Sequence, residues 1–235
     1  MPERFTTAKW EWRRMWLGAL VAAVAALPFV AWSLRDPVSF HEACREDGPI
    51  EWATAAGFFA AAAGFAAGSR RTTGAGPSRV LLVVGALAAL VFCGEELSWG
   101  QRLLGFETPE PVRAVNQQGE FNVHNVGALQ RLKYSLLVFT IAAVGVGLPV
   151  LRLVPSARRL FARLRLPVPP AQWLGLFLAA LFFVRHAANW LRLAERNDPQ
   201  EIGELFFALG LAGFGLHAAA RPAALLAEAP QPEGC

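Results

Sequence analysis

Several familiar signals are missing from this chain. Charged side chains make up 17% of it, against about a quarter in an ordinary soluble domain. Its three cysteines, Cys44, Cys93 and Cys235, are too scattered to form a disulfide framework or a zinc-type pair. The sequence has no phosphate-binding glycine loop, no internal repeat and no close His-x-x-x-His or Glu-x-x-His pair. Without such a pair the metal-ligand signal is weak.

Apolar residues are abundant instead, at 54% of the chain. They gather in six runs, at residues 16–34, 50–68, 80–98, 134–151, 171–193 and 202–220. Each is close to the roughly 20 residues that a helix needs to cross a bilayer. The expected fold is an all-α polytopic membrane protein: one six-helix transmembrane domain over residues 1–222, then a disordered cytoplasmic tail, 223–235. Lys9, Arg13 and Arg14 precede the first run. Its apolar core outruns the roughly 7 to 15 residues of a signal peptide, so it reads as an uncleaved anchor.

Orientation follows from the basic residues, which favour the cytoplasmic side. Arg4, Lys9, Arg13 and Arg14 share a side with Arg70, Arg71, Arg79, Arg152, Arg158, Arg159, Arg163, Arg165 and Arg221. That side is read as cytoplasmic, with both termini on it. Of the 18 carboxylates, only Glu3, Glu11, Glu228 and Glu233 fall there. The overall charge of +4 therefore conceals a polarised molecule and is no sign of nucleic acid. The basic side is read as topology plus attraction to anionic lipid. Tryptophans at 16, 32, 52, 99, 173 and 190 lie near the proposed span ends, where indoles prefer to sit. Gly57, Ala61, Gly64 and Gly68, at intervals of three or four, let a neighbouring helix approach closely.

The chemistry-bearing residues collect toward the other, outer side. Glu95 is fifteen residues into the third run and Arg185 and His186 are equally far into the fifth, which places all three just below the far membrane surface. Glu95, Ser98 and Arg102 share a face if the helix continues, as do His186 and Asn189. Ionised groups at such depth need partners or water, which makes them a functional hypothesis. Glu51, Glu201 and Glu204 lie nearer the rim, and Glu51 and Glu204 read as interfacial caps. His41 reads as a solvated loop residue and His217 as a packing residue on the opposite side.

The long connection 99–133 is expected to be structured and functional. Thr108 with Pro109 and Glu110 predicts a helix start, and Gly119 its stop. Beyond it, Glu120, Asn122 and His124 alternate with Phe121 and Val123. Asn116, Gln117, Gln118 and Asn125 add amides suited to a polar headgroup or a peptide.

The stretches "GEELSWGQRLLGFETPE" and "NQQGEFNVHN" resemble a signature of uncharacterised multi-pass bacterial membrane proteins. That resemblance implies no activity. A second similarity is to the CAAX-protease and bacteriocin-processing family, whose pattern is Glu-Glu-x-x-x-Arg, Phe-x-x-x-His and His-x-x-x-Asn. Glu95, Glu96, Phe182 and His186 match parts of it. Gly100 stands where its arginine belongs, with Arg102 two positions late, and His217 is followed by Arg221 in place of asparagine. What the similarity implies is a glutamate and histidine pair that activates water.

Three readings compete. The first is a membrane hydrolase acting on a lipid-linked or amphipathic substrate, in the cytoplasmic membrane of a bacterium. Its catalytic residues would be Glu95, Glu96, His186 and Arg185, and Asn116, Gln118, Asn122, Asn189 and Arg102 would bind substrate. A variant holds a divalent metal, zinc or iron, on Glu96, Glu120, His124 and His186. The second is a transporter or receptor for a polar or cationic solute, against which stands the lack of paired broken helices. The third is a structural subunit with an ion-paired core, partnered within a larger membrane complex. The expectation is the hydrolase.

Overall fold

The computed structural model describes residues 3–45, 47–72, 76–116, 119–123, 126, 129–187 and 198–221, with side chains described for all but 3–9, 102, 130 and 131. Regular structure among these residues is helical, with one isolated antiparallel bridge between Asn116 and Val126.

The chain opens with α1 (Glu3–Arg35), α2 (Pro37–Cys44), α3 (Pro49–Arg71) and α4 (Pro77–Glu96). The last three each begin on a proline, whose missing N–H would have had no partner in a first turn. Asp36 caps α2 by accepting from the Ser39 N–H at 3.0 Å. Two short helices follow, α5 (Gln101–Leu104) and α6 (Glu110–Arg113). Next, α7 (Gln130–Thr140) runs through a π-helical stretch, Ile141–Gly147, into α8 (Leu148–Arg152). Beyond α9 (Pro155–Arg163), the turn Ala171–Trp173 leads into α10 (Leu174–Phe182), which widens into a second π-helical stretch, Phe183–Ala187. The final element among the described residues is α11 (Asp198–Ala220).

Among the described residues, five helices are long and apolar enough to cross a membrane: Trp10–Arg35, Pro49–Arg71, Pro77–Glu96, Leu132–Arg152 and Asp198–Ala220. Of the fifth expected run, 171–193, the described part is a shorter apolar helix, Ala171–Ala187; its last six residues lie outside the described ones. The tail 223–235 lies outside them too.

Burial separates centre from periphery. The apolar window of α11 is 72% buried and that of α1 only 11%. In α1 the leucines and valines at 17, 20, 21, 24 and 27 face outward, which fits a helix whose surroundings are as apolar as its own side chains. The α11 helix packs against α3 and α10, α3 packs against α4, and α1 lies on α10.

Small residues make the central contact. Gly57 lies on Ala208, Gly64 on Gly215 and Gly68 on Ala218, and a Cβ added at Gly215 would stand 2.7 Å from the Ala61 carbonyl oxygen. Phenylalanines fill the space beside this seam. Phe183 stacks on Phe206 with ring centroids 5.6 Å apart, and Phe58 meets Phe207 edge-on at 5.9 Å.

The α3 and α11 helices run parallel, with Gly57, Gly64 and Gly68 meeting Ala208, Gly215 and Ala218 in order, and the bundle has two ends. One, the loop end, carries the described residues that immediately follow α4, with α2 and the starts of α3 and α11. The opposite end carries α9, the end of α3 and the start of α4.

Candidate functional site

The adjacent glutamates at the end of α4 part company. They stand about 100° apart around the helix, and α4 stops at Glu96. Ser98, Trp99 and Gly100 then turn left-handed, with φ of 45°, 54° and 79°. The expected face shared by Glu95, Ser98 and Arg102 is therefore interrupted, because helical spacing does not survive that turn. Its strain, of about 1–3 kcal/mol per non-glycine residue, is met by local bonds. Trp99 folds back over Gly94 and donates from Nε1 to Glu95 Oε1 at 2.7 Å. Glu95 Oε2 accepts from the Val123 N–H at 2.8 Å, which ties the long connection to the end of α4.

The connection itself is organised by its polar side chains. Ser98 Oγ and Asn122 Nδ2 both donate to Glu120 Oε2, at 2.8 and 2.9 Å. Asn116 Nδ2 donates to Asn122 Oδ1 at 2.8 Å, and Asn116 Oδ1 accepts from the Glu120 N–H at 3.1 Å. Gln101 joins Thr108 to the Phe121 N–H, with 2.7 Å on each side. Ser98, Asn116 and Asn122 are buried. The helix expected to run from Thr108 to Gly119 is only α6, because Asn116 leaves helical geometry to bond the 120–122 segment. Asn116, Glu120 and Asn122 are thus brought together, but in bonds among themselves. Gln118, His124 and Asn189 lie outside the described residues, as does the side chain of Arg102.

Glu96 points into a different group. Its carboxylate and those of Glu201 and Glu204, both on α11, all lie within 4.8 Å of one another. Lys133, at the start of α7, reaches Glu204 Oε1 at 3.6 Å, and Gln200 Nε2 donates to the same oxygen at 2.8 Å. Glu51, at the start of α3, is buried close enough to act electrostatically on Glu96, and it accepts from the Asp47 N–H. Four acids and one lysine from four helices thus share a layer just inside the loop end. Glu51 and Glu204 are buried members of it and not simple rim caps. Lys133 escaped sequence reading because it closes a loop by position, while Glu201 and Glu204 did carry a signal in their i, i+3 spacing.

Arg185 and His186 lie elsewhere. Both are exposed on the π-helical stretch of α10, and His186 is not among the ligand atoms gathered around Glu96. The wider π-helical turn also shifts residues off 3.6-residue spacing. Tyr134, next to Lys133, donates from its hydroxyl to the Val184 carbonyl at 3.2 Å and so joins α7 to that stretch.

His41 is not simply solvated. Its Nδ1 meets Oδ1 of buried Asp198 at 2.8 Å, although the imidazole is half exposed. Nearby, burial and then the charges of Asp198 and Glu201 push the Cys44 thiol up from 9.0 to about 12.

Three carboxylates so placed fit a cation. Oxygen ligands surround hard divalent ions at about 2.0–2.6 Å, so donors to one ion lie within about 5 Å of each other. An all-oxygen set suits Mg²⁺, Mn²⁺ or Ca²⁺ better than zinc or iron, which favour an imidazole such as that of His124. Compared with family models, curated proteins and solved structures, the chain finds a match in none of the three.

Proposed function

We propose that this chain is an integral membrane enzyme that hydrolyses a lipid-linked or amphipathic substrate. It would act at the outer face of a bacterial cytoplasmic membrane, with six spans and both termini cytoplasmic. The observation that supports this reading is the convergence of Glu96, Glu201, Glu204 and Lys133 from three helices into one buried layer at the loop end. Ionisable groups are placed at such depth chiefly for chemistry or transport.

Glu96 is assigned the general base. It takes a proton from water as the hydroxyl adds to the acyl or phosphoryl centre, and returns that proton to the leaving oxygen. Lys133 stabilises the anion formed in between. Glu201 and Glu204 would hold a divalent cation, which when bound supplies Lewis acidity. Glu95, which the sequence offers beside Glu96 as catalytic, is not given this role, because its two oxygens accept from Trp99 and Val123.

Purified full-length protein, offered fluorogenic lipid esters and phosphodiesters with Mg²⁺, Mn²⁺ or Ca²⁺, should turn over at least one head-group class. Glu96→Gln should lower that turnover by about 100-fold or more while leaving the melting temperature within a few degrees. The cation should itself raise the melting temperature of the wild type. Saturable solute uptake into proteoliposomes, without turnover, would replace the enzyme by the transporter or receptor reading. Failure of both Glu96→Gln and Glu204→Gln to accumulate would favour the structural subunit.

A further inference from the structure

We propose that α9 is an anchor for anionic phospholipid headgroups at the bundle end opposite the loops. Its sequence, PSARRLFAR, divides cleanly around the helix. Phe161 turns inward and is 6% exposed, while Leu160 and Leu164, one turn apart, are 50% and 48% exposed. Arg159 and Arg163 are also one turn apart and exposed, on the adjoining face, with Arg158 beyond them. The side chains of Arg158, Arg159 and Arg163 have no hydrogen-bond or ion-pair partner among the described residues. The sequence around α9 is free of acids, with no aspartate or glutamate between Glu120 and Glu195.

Position supports the same occupant. The α9 helix begins three residues after the apolar helix Leu132–Arg152 ends, which places it at the membrane boundary. Its C-terminal turn is held there by Ser78, whose hydroxyl donates to the Arg165 carbonyl, and by the Leu166 N–H bonding to the Phe161 carbonyl at 2.9 Å. A short helix with exposed leucines beside unpaired guanidiniums matches the layer where acyl chains meet phosphates. An acidic protein would neutralise the arginines but leave the leucines among its charges. Anionic lipid satisfies both faces at once, and each arginine near such a surface favours it by about fivefold.

The test uses the full chain in nanodiscs with spin-labelled phosphatidylglycerol or phosphatidylcholine, reading the fraction of immobilised label. The wild type should prefer phosphatidylglycerol by roughly fivefold or more. In R158Q/R159Q/R163Q the preference should fall close to unity, while the corresponding triple lysine variant keeps most of it. Equal retention of the two lipids by the wild type, or a full preference in the glutamine variant, overturns the proposal. Should the glutamine variant not fold, the wild type decides alone. Raising salt from about 0.05 to 0.5 M should remove most of the preference through screening, and an unchanged preference overturns it.

Discussion

Cys44 shows how a residue's surroundings reach its chemistry. Desolvation disfavours the thiolate, and the carboxylates of Asp198 and Glu201 add repulsion, so the thiol is held up to about 12. A folded-state value above the ordinary 9.0 means that the folded protein retains its proton where the unfolded chain loses it. The resulting contribution to stability is intact below pH 9 and is lost as pH rises from there toward about 12. Iodoacetamide at pH 8.5 should therefore leave Cys44 unmodified in the folded protein and alkylate it readily after denaturation, as peptide mass spectrometry would read. Rapid labelling of Cys44 in the folded state would contradict the burial argued here. Glu95 and Glu96 teach a related lesson: neighbours in sequence, they serve different faces of α4, one bonded into the loop and the other facing α11.

Among elements, the connection after α4 is the most informative. Its apolar side chains, Leu103, Leu104, Val115 and Val123 among them, stay exposed, and its form rests on amide and carboxylate bonds around Asn122, which is 2% exposed. Asn122→Ala would remove a donor to Glu120 and to Ser98 and an acceptor for Asn116, at about 1–3 kcal/mol for the buried groups left unpaired. Hydrogen exchange should then accelerate at the Glu120 and Val123 amides and stay unchanged through α3 and α11, because the loss is local. Global destabilisation of every helix would show that this segment is part of the bundle's cooperative core. The loop's existence and length are plain in the sequence. Its left-handed turn at Ser98 and Trp99 is not, since both are residues that ordinarily avoid positive φ.

At the scale of the whole molecule, everything at the loop end depends on how α3, α4, α7 and α11 are spaced. The α3 and α11 backbones approach through glycine on glycine. Gly64→Ala would place a methyl against the Gly215 backbone and should destabilise the bundle by about 1–3 kcal/mol, seen as a lower melting temperature in detergent. Gly85→Ala is the matched control. Its nearest neighbour is the Phe65 ring at 3.4 Å, ordinary contact, so its melting temperature should stay close to that of the wild type. Equal effects from the two substitutions would mean that helix propensity matters here and not the close crossing.

Apolar run length and the pairing of small residues need only local sequence to be read, and from them came the helical class, the membrane-crossing lengths of five helices and the face by which α3 packs. Which carboxylates meet is another matter. Helical spacing put Glu95 with Ser98 and Arg102, and equal depth put it with His186, but depth says nothing of azimuth, and a left-handed turn or a π-helical stretch resets the spacing that follows. Only packing of α11 on α3, with α4 and α7 beside them, could bring Glu96 to Glu201, Glu204 and Lys133, because their separation is set by contacts between residues far apart in the chain.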